Sequence, residues 1–153
     1  MQASVNAIPA RKAGTIYAGI AVLANAGILV SSFSLDHHFS ESKTSFCDVG
    51  QSFNCDLVNR SSYSTFHRMP VALLGIIGYL LILSLATVYR EKAETPFFLA
   101  GAALVGLCFA LYLTYIEGFV LHAWCIVCLS SLALISAIAI VSFVNAANAL
   151  RRP

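Results

Sequence analysis

The chain has 153 residues, of which 59% are hydrophobic and only 10% charged. A soluble domain carries about 25% charged residues, so with a mean hydropathy of +0.81 the chain points to lipid rather than water as its main solvent. The net charge of +2 is too small for a nucleic-acid surface, the sequence has no Gly-rich phosphate loop, low-complexity tract or useful repeat, and its length suits one domain.

Arg11 and Lys12 precede the first apolar run, Thr15–Leu35. Ala24-Asn25-Ala26 has the look of an export cleavage site, but the run continues through Gly27-Ile28-Leu29-Val30, so a retained anchor is expected. Asp36–Pro70, the long polar segment, comes next, followed by the apolar run Val71–Tyr89. A short charged gap, Arg90–Thr95, leads to the run Pro96–Ile116, and Glu117–His122 leads to the run Ala123–Val144. Each run is long enough to cross a bilayer, which needs ~20 apolar residues as helix. Each is apolar on every face rather than along one stripe, as lipid-embedded helices are. The expected fold is all-α: a single membrane domain over residues 1–153, a polytopic four-helix transmembrane bundle with spans at 15–35, 70–89, 96–116 and 123–145. A long outward loop, 36–69, joins the first two spans.

Four spans put both termini on one side. Six of the nine Lys and Arg residues (Arg11, Lys12, Arg90, Lys92, Arg151, Arg152) lie at the termini and in the second gap. Lys43, Arg60 and Arg68 lie in the outward segment. The excess places the termini in the cytoplasm and the long loop on the opposite, periplasmic side.

Four of the five cysteines then converge on the outward face. Cys47 and Cys55 are in the loop, and Cys125 and Cys128 open the fourth helix as Cys-x-x-Cys. That face is the oxidising one, where disulfides persist. Two thiols within the first turn of a helix sit in its partial positive charge, which favours thiolate. Two pairs within reach can pass electrons in sequence by thiolate attack through mixed disulfides. The outer pair can meet a soluble protein, and the inner pair sits at membrane depth. With no flavin fingerprint, haem ligand set or metal cluster evident, a quinone dissolved in the bilayer is the expected acceptor. No metal is expected, because none of His37, His38, His67 and His122 stands at ligand spacing from a cysteine pair. Spacing alone leaves the pairing of the four thiols open among three connectivities.

Other residues have plainer readings. Cys108 lies near the middle of the third span with Ala102, Gly106 and Ala110, and is expected to be a buried packing residue on a small-residue face. Asp48 and Asp56 solvate the loop. Glu117 anchors the outward cap or relays protons, with anchoring favoured; Trp124 is an interfacial anchor or, with His122, a polar neighbour of the quinone.

The stretch Cys55-Asp56-Leu57-Val58-Asn59-Arg60-Ser61-Ser62-Tyr63, then Pro70-Val71-Ala72-Leu73-Leu74-Gly75, resembles the bacterial homologues of the vitamin K epoxide reductase family. Tyr115-Ile116-Glu117-Gly118-Phe119-Val120-Leu121-His122-Ala123-Trp124-Cys125-Ile126-Val127-Cys128 is similar to that family's entry into its last core helix. The resemblance covers nearly the whole chain. It implies a four-helix bundle around a quinone, ubiquinone or menaquinone, in the bacterial inner membrane. It also implies a periplasmic DsbA-like thioredoxin-fold protein as the partner that is re-oxidised, in support of disulfide formation.

By position the resemblance makes Cys128 the quinone-facing thiol, Cys125 the exchanger with Cys55, and Cys47 the thiol that meets the partner. Ser61 falls on a serine important in the family, where its hydroxyl holds the loop, lies near the quinone or caps a short loop helix. Val71, Leu74 and Leu132 join Cys128 in the expected quinone pocket. The chain departs from the family in four ways. It stops at Arg151-Arg152-Pro153 with no thioredoxin-like domain, so its partner is expected to be a separate protein. Arg68 stands where a glycine is common. Val71 and Leu132 stand where the vertebrate enzymes have asparagine and tyrosine, so epoxide chemistry is not expected. Two rival readings remain: a soft-metal carrier of the mercury-transporter kind, and a non-catalytic membrane protein stapled by disulfides.

Overall fold

The computed structural model describes residues 10–39, 53, 55–59, 61–66 and 69–151. Helix α1 spans Ala10–Phe39. The loop after it contributes the short helix α2, Cys55–Asn59, a 3-10 turn at Ser62–Ser64, and a two-residue hairpin of β1 (Thr65–Phe66) with β2 (Met69–Pro70). Three long helices follow: α3 over Val71–Thr87, α4 over Thr95–Ile116, and α5 over Ile126–Leu150. A single π-helical turn, Glu117–Leu121, extends α4.

Three segments are long and apolar enough to cross a bilayer: Gly14–Asp36, Thr95–Leu121 and Ile126–Leu150. At 17 residues α3 is shorter. Its length of about 26 Å at ~1.5 Å per residue sits at the lower limit for a spanning helix. Pro70 precedes its first residue and fixes where the helix begins.

The long helices close a ring. α1 packs along α3 and α5, and α4 packs along α5 and α3. Ile20, Ala24, Tyr79, Ile82, Leu99, Ala103, Ile135 and Ile138 fill the centre. Lipid tails are as apolar as leucine, so such helices associate through close packing, which small residues permit. At Gly106 an added Cβ would lie 3.1 Å from Ile135 Cδ1, and at Gly75 2.8 Å from Ser31 Oγ. At Gly27 it would clash with the Tyr79 ring, closest to Cε1. Gly27→Ala therefore forces Tyr79 out of its place, and overpacking of this kind costs about 1–3 kcal/mol. We expect a lower melting temperature in detergent, where Gly14→Ala, with nothing within 4 Å of its added Cβ, has little effect.

Ala102 and Ala110 pack against the core as the small-residue spacing predicts. Cys108 does not. It is exposed on the outside of the ring, because two residues past Gly106 is about 200° around a helix of 3.6 residues per turn. The expectation of a buried packing residue was wrong on this point.

The entry to the last helix also differs from the sequence reading. The apolar run starts at Ala123, but α5 starts at Ile126. The carbonyl of Glu117 accepts from the backbone amides of His122 and Ala123, the latter at 3.1 Å. His122 is left-handed at φ 51°, which turns the chain out of the π-helical turn. Residues 123–125 then cross in extended form, and Cys125 is the N-cap of α5 rather than part of its first turn.

Candidate redox site

Three polypeptide segments meet at this turn. Cys125 is fully buried and Cys128, at the start of α5, is half-buried; both are free thiols. As N-cap, Cys125 presents its sulfur to the open end of the helix, and Sγ accepts from the backbone N–H of Cys128 at 3.4 Å. This is the position where a side-chain acceptor satisfies an amide that the helix leaves unpaired. Hydrogen bonding, chiefly from the Cys128 thiol and then from nearby amides, holds the Cys125 pKa below the ordinary thiol value, against the opposing effects of burial and of Glu117. A lowered pKa raises the thiolate fraction and eases departure as a leaving group.

Glu117 supports the pair from the preceding turn. It is 2% exposed, and its Oε2 accepts from the Cys125 backbone N–H at 3.2 Å. The carboxylate and the two sulfurs lie within 4.8 Å of one another. Among the described residues this is the one group of His, Cys, Asp or Glu side chains close enough to hold a cation; His122 is not in it. Gly118 keeps the turn tight, since an added Cβ would lie 3.2 Å from the Trp124 ring.

The loop docks on this turn. Phe53 and Trp124 form an isolated parallel bridge. Two residues after Phe53, Cys55 is 1% exposed and clusters with Val58, Ala123 and Cys125, with Cys128 packed against them. Cys55 is disulfide-bonded, and its bond is to none of the free thiols Cys108, Cys125 and Cys128. Cys47 lies outside the described residues. Trp124, read from sequence as a membrane anchor, is also the residue on which the loop rests.

Ser61 is half-buried, and its Oγ donates to the Val58 carbonyl at 2.8 Å. It stands at the N-cap position of the 3-10 turn, as the sequence reading expects, but makes no side-chain hydrogen bond there; the hydroxyl instead ties off the end of α2. This leaves the amides of the turn to the backbone, as in the bond from Ser64 N to the Ser61 carbonyl at 3.0 Å.

A cavity of about 510 Å³ opens beside the pair, between α1, α3, α4, α5 and the loop. Cys128, Ser61, Val71 and Leu74 line it; Leu132 does not. On α5 the lining stripe runs through Cys128, Ser131 and Ile135, which leaves Leu132 one step round the helix. Its walls are mostly apolar with a few polar groups, among them Tyr79 and Ser131. Tyr79 Oη lies 3.0 Å from both the carbonyl and the hydroxyl of Ser131. Sequence reasoning missed both residues. The signal was a lone tyrosine inside an aliphatic span and a serine pair just past the Cys-x-x-Cys.

The family model for the vitamin K epoxide reductase family matches residues 18–143, from α1 to near the end of α5. The chain belongs to the vitamin K epoxide reductase family. It is a membrane oxidoreductase, and the match takes in Cys55, Cys125 and Cys128. The membership accords with the long apolar helices of the bundle.

Proposed function

We propose that this protein re-oxidises a periplasmic thioredoxin-fold protein of the DsbA kind and passes the electrons through two cysteine pairs to a membrane quinone, ubiquinone or menaquinone. The bundle spans a bacterial inner membrane four times, with both termini in the cytoplasm and the cysteine pairs at the periplasmic side. The single observation that carries this reading is the packing of Cys55 in one buried cluster with Cys125 and Cys128, next to the mouth of an apolar cavity that Cys128 lines.

The partner's thiolate attacks Cys47 in a Cys47–Cys55 disulfide. Cys55 leaves as thiolate and attacks Cys125, opening the Cys125–Cys128 disulfide. The partner's second thiol resolves its mixed disulfide with Cys47, leaving the partner oxidised and Cys47 a thiolate; Cys47 then attacks Cys55 in the Cys55–Cys125 disulfide, and the inner pair is released as a dithiol. A state with Cys55 disulfide-bonded and the inner thiols free is the one in which electrons have reached the inner pair. Ligand pockets of about 300–1,000 Å³ bracket this cavity, and its apolar walls with few polar groups suit a quinone head. A bound quinone supplies a two-electron, two-proton acceptor. Ser61, Tyr79 and Ser131 supply hydroxyls for its carbonyls, and Val71 and Leu74 supply apolar wall.

The test is single-turnover mixing of the purified protein with reduced partner and a soluble quinone analogue, following quinone absorbance. The expected result is one quinol per partner disulfide formed. Absence of quinol with the partner still reduced would return the carboxylate–dithiol cluster to the soft-metal carrier reading, or the loop disulfide to a structural staple.

A further inference from the structure

Glu117 is a costly residue to bury. A carboxyl group taken out of water needs a partner for each oxygen. Oε2 has one, the Cys125 amide. Oε1 is buried and has no hydrogen-bond partner. Anchoring the turn accounts for Oε2 alone, and the turn already has the Glu117 carbonyl holding Ala123. The other oxygen sits in the same pocket as two sulfurs, within 4.8 Å, and those sulfurs must gain and lose protons each time their disulfide opens and closes. Orphaned buried acceptors ask for an explanation, and catalytic roles are among the common ones.

Resting on the relay proposed above, we infer that Glu117 is the proton acceptor and donor for the Cys128 thiol. When Cys55 thiolate attacks Cys125, the Cys125–Cys128 bond breaks. Cys128 leaves with the electron pair and takes a proton from the Glu117 carboxyl. When the pair closes again, Cys128 gives that proton back to the Glu117 carboxylate. With a disulfide acceptor the resulting thiolate attacks Cys125 in its mixed disulfide with that acceptor: the Cys125–Cys128 bond forms, the Cys125–acceptor bond breaks, and the acceptor leaves as a thiolate with the electron pair. Cys125 needs less help, since its sulfur already receives a backbone N–H. Half-buried Cys128 lines a mostly apolar cavity, and a fixed base at its side replaces hydroxide. The titratable groups that face Glu117 are the two thiols of the α5 entry. On α2, Cys55 is held in a disulfide here; in the reduced protein it is a further thiol packed beside the pair, the same in the parent and the Glu117 variants.

The chemistry can be tested without quinone. The full-length protein carrying Cys108→Ala is reduced in lipid nanodiscs and re-oxidised by excess glutathione disulfide. Cys125–Cys128 closure is then read by acid quench, alkylation and mass spectrometry. Glu117→Gln keeps an oxygen for the Cys125 amide and removes only the base. We expect closure at least tenfold slower than in the parent near neutral pH, rising about tenfold per pH unit as hydroxide takes over, and meeting the parent rate in alkali. Glu117→Asp restores part of the neutral rate. A purely positioning Glu117 predicts either no change or the same slowing at every pH together with a lower melting temperature, and either result overturns the proposal while the relay stands. Failure of both proteins to form a Cys125–Cys128 disulfide overturns the proposal and the relay together.

Discussion

Replacing Cys128 with alanine stops quinol formation at the uncatalysed background while the partner is oxidised once and no further. The outer disulfide survives the substitution, so a first equivalent of reduced partner still delivers its electrons to Cys47 and Cys55. Those thiols then have no disulfide to attack, because Cys125 alone is a thiol without a mate. The stoichiometry of one separates this variant from a misfolded protein, which would oxidise none. The fold has little reason to suffer. Cys128 is half-buried at the edge of the core, and its contribution to the N-cap is a backbone N–H to Cys125 Sγ at 3.4 Å, which alanine retains. Counting free thiols on the partner by alkylation, beside quinone absorbance, reads both quantities in one experiment. Cys108→Ala, on the outside of the ring, is the control and turns over as the parent does. Sustained quinol formation by the Cys128 variant would remove the inner pair from the electron path.

Much of this architecture is legible from residues alone, for a physical reason. A segment that lies in lipid is apolar on every side, so Thr15–Leu35 and Pro96–Ile116 announce themselves without any knowledge of their neighbours. What composition does not carry is which side of each helix meets which neighbour. Cys108 reads as a packing residue beside Gly106 and Ala110, yet the helical repeat turns it outward, and leucine-rich surroundings look alike on both sides. The start of α5 is hidden for a different reason. Ala123 and Trp124 continue the apolar run, and nothing in the run itself says that the Cys125 amide is taken by a carboxylate eight residues earlier. The cavity is the least legible feature. Its hydroxyl pair, Tyr79 and Ser131, is 52 residues apart in sequence and exists only because α3 and α5 border the same space.

Gly78→Phe should separate the two halves of the reaction, leaving thiol exchange intact and weakening quinone reduction by at least about tenfold, the equivalent of ~1.4 kcal/mol. Gly78 lines the cavity, and a Cβ added there meets nothing within 4 Å. A phenyl ring at that point therefore grows into free space rather than into packed neighbours. The helix tolerates the change, since glycine in a helix interior is itself less favourable than alanine by about 0.5–1 kcal/mol, and phenylalanine lies between the two. A cavity of about 510 Å³ with an aromatic ring in it has much less room for a second ring, and the loss falls on the binding of the acceptor. The cluster of Cys55, Ala123 and Cys125 does not include α3, so exchange between the cysteine pairs, read by alkylation after one turnover with reduced partner, proceeds at the parent rate. Gly19→Phe is the matched control: it too has nothing within 4 Å of its added Cβ, but it is exposed on α1 and stands outside the cavity lining. The measurement is kcat and KM for a soluble quinone analogue across the three proteins. A raised KM in the Gly78 variant alone locates the acceptor between α3 and α5 beside Cys128. Identical constants in all three would mean that electrons leave Cys128 by another face of the bundle.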